Sequence, residues 1–229
     1  FAIDAQGKGR TVATLEGGSV YALALGTKND LYAAVSPEAK VYHITADGKS
    51  ALFASLKAGY VWALVAAPGG GFYAATGSPG QIQKIAADGT ASVFYDAGET
   101  HVRSLALDGK GNLIAGTEPG GLVIRVGADG KGFVVYQTAK REVTSVIAGK
   151  DGAIYAAASG SRTASPSVAP VTPVVAPAPT AAASGGVTIQ LQPAGSAAAR
   201  PTAAAPPSLA PTPAPGNSEI YRIAADGEP

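Results

Sequence analysis

Short apolar runs recur along the chain, and clusters of Gly, Pro, Asn and Asp separate them. Runs of this length and composition predict β-strands, whereas the 3.6-residue spacing of an amphipathic helix is absent. The runs fall into four kinds that follow one another in a fixed order. The first kind begins at Val20, Val61, Val102 and Val143, the second at Leu31, Phe72, Leu113 and Ile154, the third at Val41, Ile82, Val123 and Ile220, and the fourth at Leu52, Val93 and Val134.

A turn marked by glycine shows that these strands belong to a repeat of constant length. The glycines that follow Asp, or Gln in the first case, are Gly7, Gly48, Gly89, Gly130 and Gly227. The first four are evenly spaced at an interval of 41, whereas the last interval is 97, so the last unit carries an insertion, which spans residues 161–216. Because glycine accepts a positive φ, these pairs predict the hairpin turns between third and fourth strands.

Four short strands in each unit predict an all-β fold, a β-propeller in which every 41-residue unit forms one four-stranded blade. A single blade leaves both of its faces bare, so neighbouring blades must cover them. The sequence begins and ends within a blade and holds a third strand at both termini, which a ring closed by complementary ends would not do, so we predict a segment of a larger ring of about six to eight blades. The alternatives are a ring of four blades, completed by residues 10–15 with residues 1–7 displaced, and closure between two molecules.

The repeat also predicts how the chain is divided into blades. Residues 1–18 hold strands three and four of a partial blade, 19–59, 60–100 and 101–141 are whole blades, and 142–229 are a second partial blade. The insertion at 161–216 interrupts this last blade between its second and third strands. We expect such a long connection to lie on the surface, where function often resides.

The insertion differs sharply in composition from the repeat. It includes 12 Pro, 16 Ala and 12 Ser or Thr, which predicts an extended or disordered segment because few large apolar groups offset the cost of ordering it. One island alternates apolar and polar residues, and it places Val187, Ile189 and Leu191 on one face of a strand. We predict that these three contact a partner by strand addition, with self-assembly as one form of it. An O-glycosylated stalk and a surface excursion without a task are the alternatives.

Composition narrows the class of partner. The net charge is +1 and only 14% of the residues are charged, which argues against a nucleic-acid binder. No run of about 20 apolar residues is free of Gly and Pro, so no membrane span is predicted. Cysteine is absent, which excludes disulfides, thiolate metal sites and cysteine nucleophiles. Basic residues occupy one position of the third strands, where we expect them to pair with Asp residues of their own blades: His43, Lys84, Arg125 and Arg222.

Candidate site residues lie where the first strands begin, because this end of each inner strand is predicted to line the mouth of the central channel. These residues are Ser19, Tyr60, His101 and Glu142, followed two positions later by Tyr21, Trp62, Arg103 and Thr144. Side chains that vary while the scaffold repeats are typical of a site grafted onto a fold. We predict a ligand-binding site made of Ser19, Tyr60, Trp62, His101, Arg103 and Glu142. His101 would also suit a metal ligand or a general base, but no catalytic motif accompanies it, so no catalytic residue is predicted.

The segments Val102–Thr117 and Gly121–Gly130 resemble bacterial propellers of the NHL and SMP-30/gluconolactonase-like type. The resemblance covers the chain outside the insertion. It implies the fold rather than one activity, because such repeats serve binding proteins and some hydrolases. In the lactonases of this type, acidic and amide side chains in the channel hold a divalent cation. Glu142 is the one carboxylate at the positions named above, so neither a metal nor another cofactor is predicted.

These observations favour a non-enzymatic binding or assembly module that is secreted or periplasmic. Its partner would be a protein or a carbohydrate, bound at the channel mouth and through the insertion. The compartment is inferred from the absence of Cys, the few charges and the tract rich in Pro, Ala, Ser and Thr. The alternatives are a metal-dependent hydrolase of the lactonase type and a structural component of an extracellular assembly.

Overall fold

The computed structural model describes residues 1–26, 30–161 and 218–224. The regular structure of these residues consists of β-strands, and among them no helix is long and apolar enough to cross a membrane. The strands are β1 (Ala2–Ile3), β2 (Gly9–Arg10), β3 (Ser19–Leu25), β4 (Leu31–Ser36), β5 (Lys40–Ile44), β6 (Ser50–Ser55), β7 (Tyr60–Ala66), β8 (Phe72–Ile85), β9 (Ala91–Leu107), β10 (Leu113–Glu118), β11 (Leu122–Val126), β12 (Gly132–Gln137), β13 (Lys140–Ala148), β14 (Ile154–Ser161) and β15 (Glu219–Ile223). The predicted partner contact, Val187, Ile189 and Leu191, lies outside the described residues.

The strands form antiparallel sheets in the order in which they follow along the chain. β3 to β6 make one four-stranded sheet, β7 to β12 make a six-stranded sheet, β13 to β15 make a three-stranded sheet, and β1 pairs with β2. β8 is continuous through the predicted second and third strands of one blade. β9 is continuous through the predicted fourth strand of that blade and the first strand of the next, so the six-stranded sheet contains two predicted blades. The first part of β9 pairs with β8 and the second part pairs with β10, so one strand passes from one blade to the next.

The strand register confirms the period of the predicted propeller. In each unit the first and second strands pair at the same place, so that equivalent pairs recur at the interval of the repeat. The four pairs are Ala24 with Tyr32, Val65 with Tyr73, Ala106 with Ile114, and Ile147 with Tyr155.

The apolar core lies between successive blades. Three clusters of buried side chains fill these spaces, and each draws residues from two neighbouring units. Small residues at one position of the second strand, such as Ala74 and Ala115, are fully or almost fully buried and let the sheets approach closely. Burying a Val or Ile side chain stabilises the fold by roughly 1.5–3 kcal/mol, so every blade depends on its neighbours for stability.

Candidate ligand site at the inner strands

A β-bulge interrupts every inner strand close to its start. At each bulge the partner strand skips one residue, which is Tyr21 in β3, Trp62 in β7, Arg103 in β9 and Thr144 in β13. A bulge adds local twist and redirects the side chain of the extra residue. Side chains from different blades meet near these bulges. Eight of these side chains form what we call the inner-strand cluster: Tyr21, Tyr60, Trp62, His101, Arg103, Glu118, Arg141 and Glu142.

Trp62 lies at the centre of this cluster, between a ring and a guanidinium group. The ring of Tyr60 is parallel to it, with an interplanar angle of 9° and centroids 4.7 Å apart. The Cζ atom of Arg103 lies 3.8 Å from the centre of the indole. Two groups at these distances would overlap on one face, so they cover opposite faces of the indole. Stacked rings and cation–π contacts each contribute about 0.5–1.5 kcal/mol, which holds the cluster in one arrangement.

The edges of Trp62 meet two further rings. Tyr21 lies with its centroid 5.0 Å away and His101 with its centroid 5.6 Å away, both nearly perpendicular to the indole. The indole Nε1–H donates a hydrogen bond of 3.2 Å to Nδ1 of His101. Because Nδ1 accepts this bond, the neutral imidazole carries its proton on Nε2. His101 therefore offers a hydrogen-bond donor, rather than a free base, to the surroundings of the cluster.

Gly77 makes the contact between Trp62 and His101 sterically feasible. Its backbone pairs with Tyr60 on one side and with His101 on the other. A Cβ atom at this position would lie 2.1 Å from Nδ1 of His101 and 2.4 Å from Nε1 of Trp62. Any side chain at Gly77 would therefore push the two rings apart.

The guanidinium of Arg103 is held by carboxylates as well as by the indole. Its Nε donates a 2.7 Å hydrogen bond to Oε1 of Glu142 and lies 3.7 Å from Oε2 of Glu118. Nη2 of Arg141 lies 3.4 Å from Oε1 of Glu118. The side chains of Arg103, Glu118 and Glu142 are 20–25% exposed, so their attraction is screened less than that of surface pairs. Two cations and two carboxylates leave the cluster without net formal charge.

The structure brings five of the six predicted site residues into contact with one another. Tyr60, Trp62, His101, Arg103 and Glu142 all belong to the inner-strand cluster. Ser19 is exposed at the start of β3, and within the described residues its side chain shares no hydrogen bond with the cluster. Thr144, at the fourth bulge, instead donates a hydrogen bond of 3.2 Å to the carbonyl of Ala157.

The predicted set omitted Tyr21, Glu118 and Arg141. The prediction followed the first strands alone, whereas Glu118 ends the second strand β10 and pairs there with His101. The repeat contained a signal for this position, because Ser36, Gly77 and Glu118 occupy equivalent places in three successive units. Serine, glycine and glutamate at equivalent places mark a position that varies from unit to unit while the scaffold repeats.

Two of the four basic residues of the third strands, His43 and Arg222, lie beside aspartates of their own blades. Nε2 of His43 lies 3.3 Å from Asp30, and Nη2 of Arg222 donates a 3.2 Å hydrogen bond to Asp151. The backbone amide of Ala153, together with Arg222, holds the pKa of Asp151 below its ordinary value although desolvation acts in the other direction. Exposed ion pairs such as Arg222 with Asp151 contribute little to stability.

We searched the described residues for groups of side chains that could hold a metal ion. In residues 1–26, 30–161 and 218–224, no three His, Asp or Glu side chains are grouped so that they could hold a metal ion.

Comparison with solved structures confirms the fold. The chain is similar to virginiamycin B lyase from Staphylococcus aureus, with a TM-score of 0.52 and 17% identity over 60% of this chain and 48% of that chain. It is similar to a chain of a nidogen/laminin complex, with a TM-score of 0.54 and 15% identity over 62% of this chain and 57% of that one. An extracellular domain from B. thetaiotaomicron matches with a TM-score of 0.50 and 16% identity over 60% of this chain and 20% of that chain.

These neighbours support the predicted β-propeller of the NHL and SMP-30-like type as a fold. The chain spans about half the length of the first structures that it matches. No family model matches the chain, and no curated protein does.

Proposed function

We propose that the protein is a non-enzymatic binding module whose ligand face is the inner-strand cluster. The observation that carries this proposal is that four consecutive units contribute to one contiguous group of aromatic and charged side chains. Tyr21 belongs to the first of these units, Trp62 to the second, Arg103 to the third and Glu142 to the fourth. Packing of the scaffold does not require this group, because the apolar clusters between the blades are separate from it.

The chemistry of the cluster suits recognition of a polar surface that carries no net charge. Trp, Tyr and Arg are the residues in which binding energy most often concentrates at protein interfaces. The Nε2–H of His101 and the Nη groups of Arg103 are donors that the hydrogen bonds of the described residues leave unused. Glu118 and Glu142 are engaged by Arg103 and Arg141, so neither carboxylate is free to act as a base. This arrangement favours a binding role over acid–base catalysis.

The partner we propose is a protein or a carbohydrate outside the cytoplasm. One neighbour is described as part of a complex of nidogen with laminin, and another as an extracellular domain. The first description supports a protein as partner, and the second supports a setting outside the cytoplasm. The absence of Cys and the tract rich in Pro, Ala, Ser and Thr support the same proposal from the sequence. The compartment we propose is therefore the periplasm or the exterior of the cell.

Trp62 is the only tryptophan of the chain, which makes its fluorescence a direct reporter of the cluster. Neutral oligosaccharides and purified extracellular protein domains would be titrated while the emission of Trp62 is followed. We expect one of these two classes to change the emission in a saturable way. A variant with Trp62→Phe should lose the signal, and calorimetry on it should show weakened binding. If every ligand that binds leaves Trp62 emission unchanged, the ligand face lies elsewhere and the proposal fails.

A further inference from the structure

A cavity lies between the predicted blades 101–141 and 142–229, at the ends of the inner strands opposite the inner-strand cluster. Its walls include the turn that follows β9 in one blade and the turn that follows β13 in the next. Its volume is about 330 Å³, which lies within the range of small-molecule pockets, about 300–1,000 Å³. We call it the turn cavity, and the charged and polar side chains that line it are Asp108, Lys110, Asn112, Arg125, Lys150 and Asp151.

The two carboxylates of the turn cavity already have hydrogen-bond donors. Asp108 accepts two hydrogen bonds from backbone amides of its own turn and one of 2.9 Å from Nδ2 of Asn112. Desolvation raises the pKa of Asp108, but these bonds and the charge of Arg125 together hold it below its ordinary value. Asp151 accepts a 3.1 Å bond from a backbone amide and a 3.2 Å bond from Nη2 of Arg222. Both carboxylates are therefore engaged by groups other than the cations of the cavity lining.

The three cations of the turn cavity lack partners of this kind. None of the ion pairs within residues 1–26, 30–161 and 218–224 includes Lys110, Arg125 or Lys150. The Nε atom of Arg125 is also buried, and it donates no hydrogen bond within the same part of the chain. Burying a donor without an acceptor is costly, and native proteins seldom do so. Arg125 therefore requires an acceptor that the described residues do not supply.

The repeat shows that this unpaired charge is not a property of the scaffold. The equivalent cavity two units earlier has His43 at the position of Arg125, and its lining is aromatic, with Tyr32, Phe53 and Phe72. There Nε2 of His43 lies 3.3 Å from Oδ2 of Asp30. Asn112 occupies the position of Asp30 in the turn cavity. The neutral amide thus replaces the carboxylate that would otherwise face the basic residue of the third strand.

We propose that the turn cavity binds a phosphate group, either of inorganic phosphate or of the monoester of a small polar molecule. Arg125 is half-buried and offers a planar set of N–H donors, which suits two oxygens of a tetrahedral oxyanion. Lys110 and Lys150 are exposed, come from different blades and bring positive charge on flexible side chains. Because three cations and only two engaged carboxylates line the cavity, it favours a doubly charged anion. The proposal is independent of the ligand face at the inner-strand cluster.

The test is calorimetric titration of the full chain at constant ionic strength, with inorganic phosphate and glycerol 3-phosphate as probes. Sodium chloride and glycerol are the control titrants, because they supply an anion without the phosphate geometry and the alcohol without the phosphate. We expect saturable binding of a phosphate probe and no saturable binding of either control. Tighter binding of glycerol 3-phosphate would identify a monoester as the preferred ligand, and tighter binding of inorganic phosphate would identify the free ion.

Variants of the cations locate the phosphate group. Arg125→Gln should weaken binding roughly tenfold or more, because it removes charge-assisted hydrogen bonds from a half-buried site. Lys150→Gln should weaken it about threefold, since the ammonium group is exposed. Lys84→Gln is the matched control and should leave the affinity unchanged. Lys84 occupies the position of Arg125 in the preceding unit, and it does not line the turn cavity.

Melting curves verify that the three variants are folded. If Arg125→Gln fails to fold, the affinity of Lys150→Gln decides, because this exposed turn residue can lose its charge without disturbing the core. The proposal is overturned if neither phosphate probe binds in a saturable way. It is also overturned if Arg125→Gln and Lys150→Gln bind phosphate like the parent, or if Lys84→Gln weakens binding as much as they do.

Discussion

At the scale of single residues, the cluster depends on a position that has no side chain. Trp62 and His101 can share a hydrogen bond because Gly77, between them, leaves room for both rings. This requirement could not be predicted from the sequence, because it arises where β7, β8 and β9 meet and each strand shows only its own alternation. Five of the eight cluster residues could be predicted, since their variation stands out against the repeat of the first strands.

Gly77→Ala should therefore disrupt the cluster and lower stability. Its Cβ would lie 2.1 Å from Nδ1 of His101, so the rings must separate and the hydrogen bond is lost. We expect a loss of about 1–3 kcal/mol in the free energy of unfolding, measured by urea denaturation, and a shift of Trp62 emission to longer wavelength. Gly109→Ala is the control, because a Cβ at Gly109 meets nothing within 4 Å. Equal stability of the two variants would show that the rings do not need the space at Gly77.

At the scale of strands and turns, the sequence predicts the strand order and register of the repeat, but it does not predict the bulges in the first strands. The Asp-Gly turns and the apolar runs are local signals, which is why strand order and register could be predicted. The bulges at Tyr21, Trp62 and Arg103 depend on how two strands pair over their whole length. The boundary between strands also escaped prediction in β9, which remains extended while it passes from one blade to the next.

A turn glycine tests how closely successive blades approach. Gly89 has a φ of +87°, and a Cβ there would lie 2.1 Å from the carbonyl oxygen of Phe53 in the preceding blade. Gly7 occupies the equivalent turn with a φ of +81°, and a Cβ there meets nothing within 4 Å. Both variants to Ala suffer the backbone strain of a positive φ, of order 1 kcal/mol, whereas only Gly89→Ala also opposes the contact between blades.

We expect Gly89→Ala to lower the free energy of unfolding by at least about 1 kcal/mol more than Gly7→Ala, measured by chemical denaturation. An equal loss in both variants would mean that the turn at Gly89 can move away from Phe53 without cost.

At the scale of the whole molecule, the insertion tests whether the last blade is complete without it. β14 and β15 pair directly, from Ile154 with Ile223 to Ala158 with Glu219, although all but the first residue of the insertion lies between these two strands in the sequence. That first residue, Ser161, is the last of β14 and pairs with Lys140. Replacing residues 162–217 by a short Gly/Ser turn should leave the melting temperature unchanged or slightly raised, because each doubling of loop length costs only about 0.6 kcal/mol. A variant that fails to fold would show that the replaced residues belong to the core.

The central claim, that the inner-strand cluster binds the partner, is tested most directly by one matched pair of variants. Arg103→Ala removes the guanidinium that packs on Trp62 and bonds Glu142. Arg222→Ala instead removes an arginine whose hydrogen-bond partners among the described residues, Tyr155 and Asp151, belong to its own blade. The measurement is calorimetric titration with the ligand that the Trp62 screen identifies. A binding hot spot contributes about 2 kcal/mol or more, so we predict that Arg103→Ala weakens binding about 30-fold while Arg222→Ala changes it less than about threefold. Equal affinities in the two variants would contradict the account.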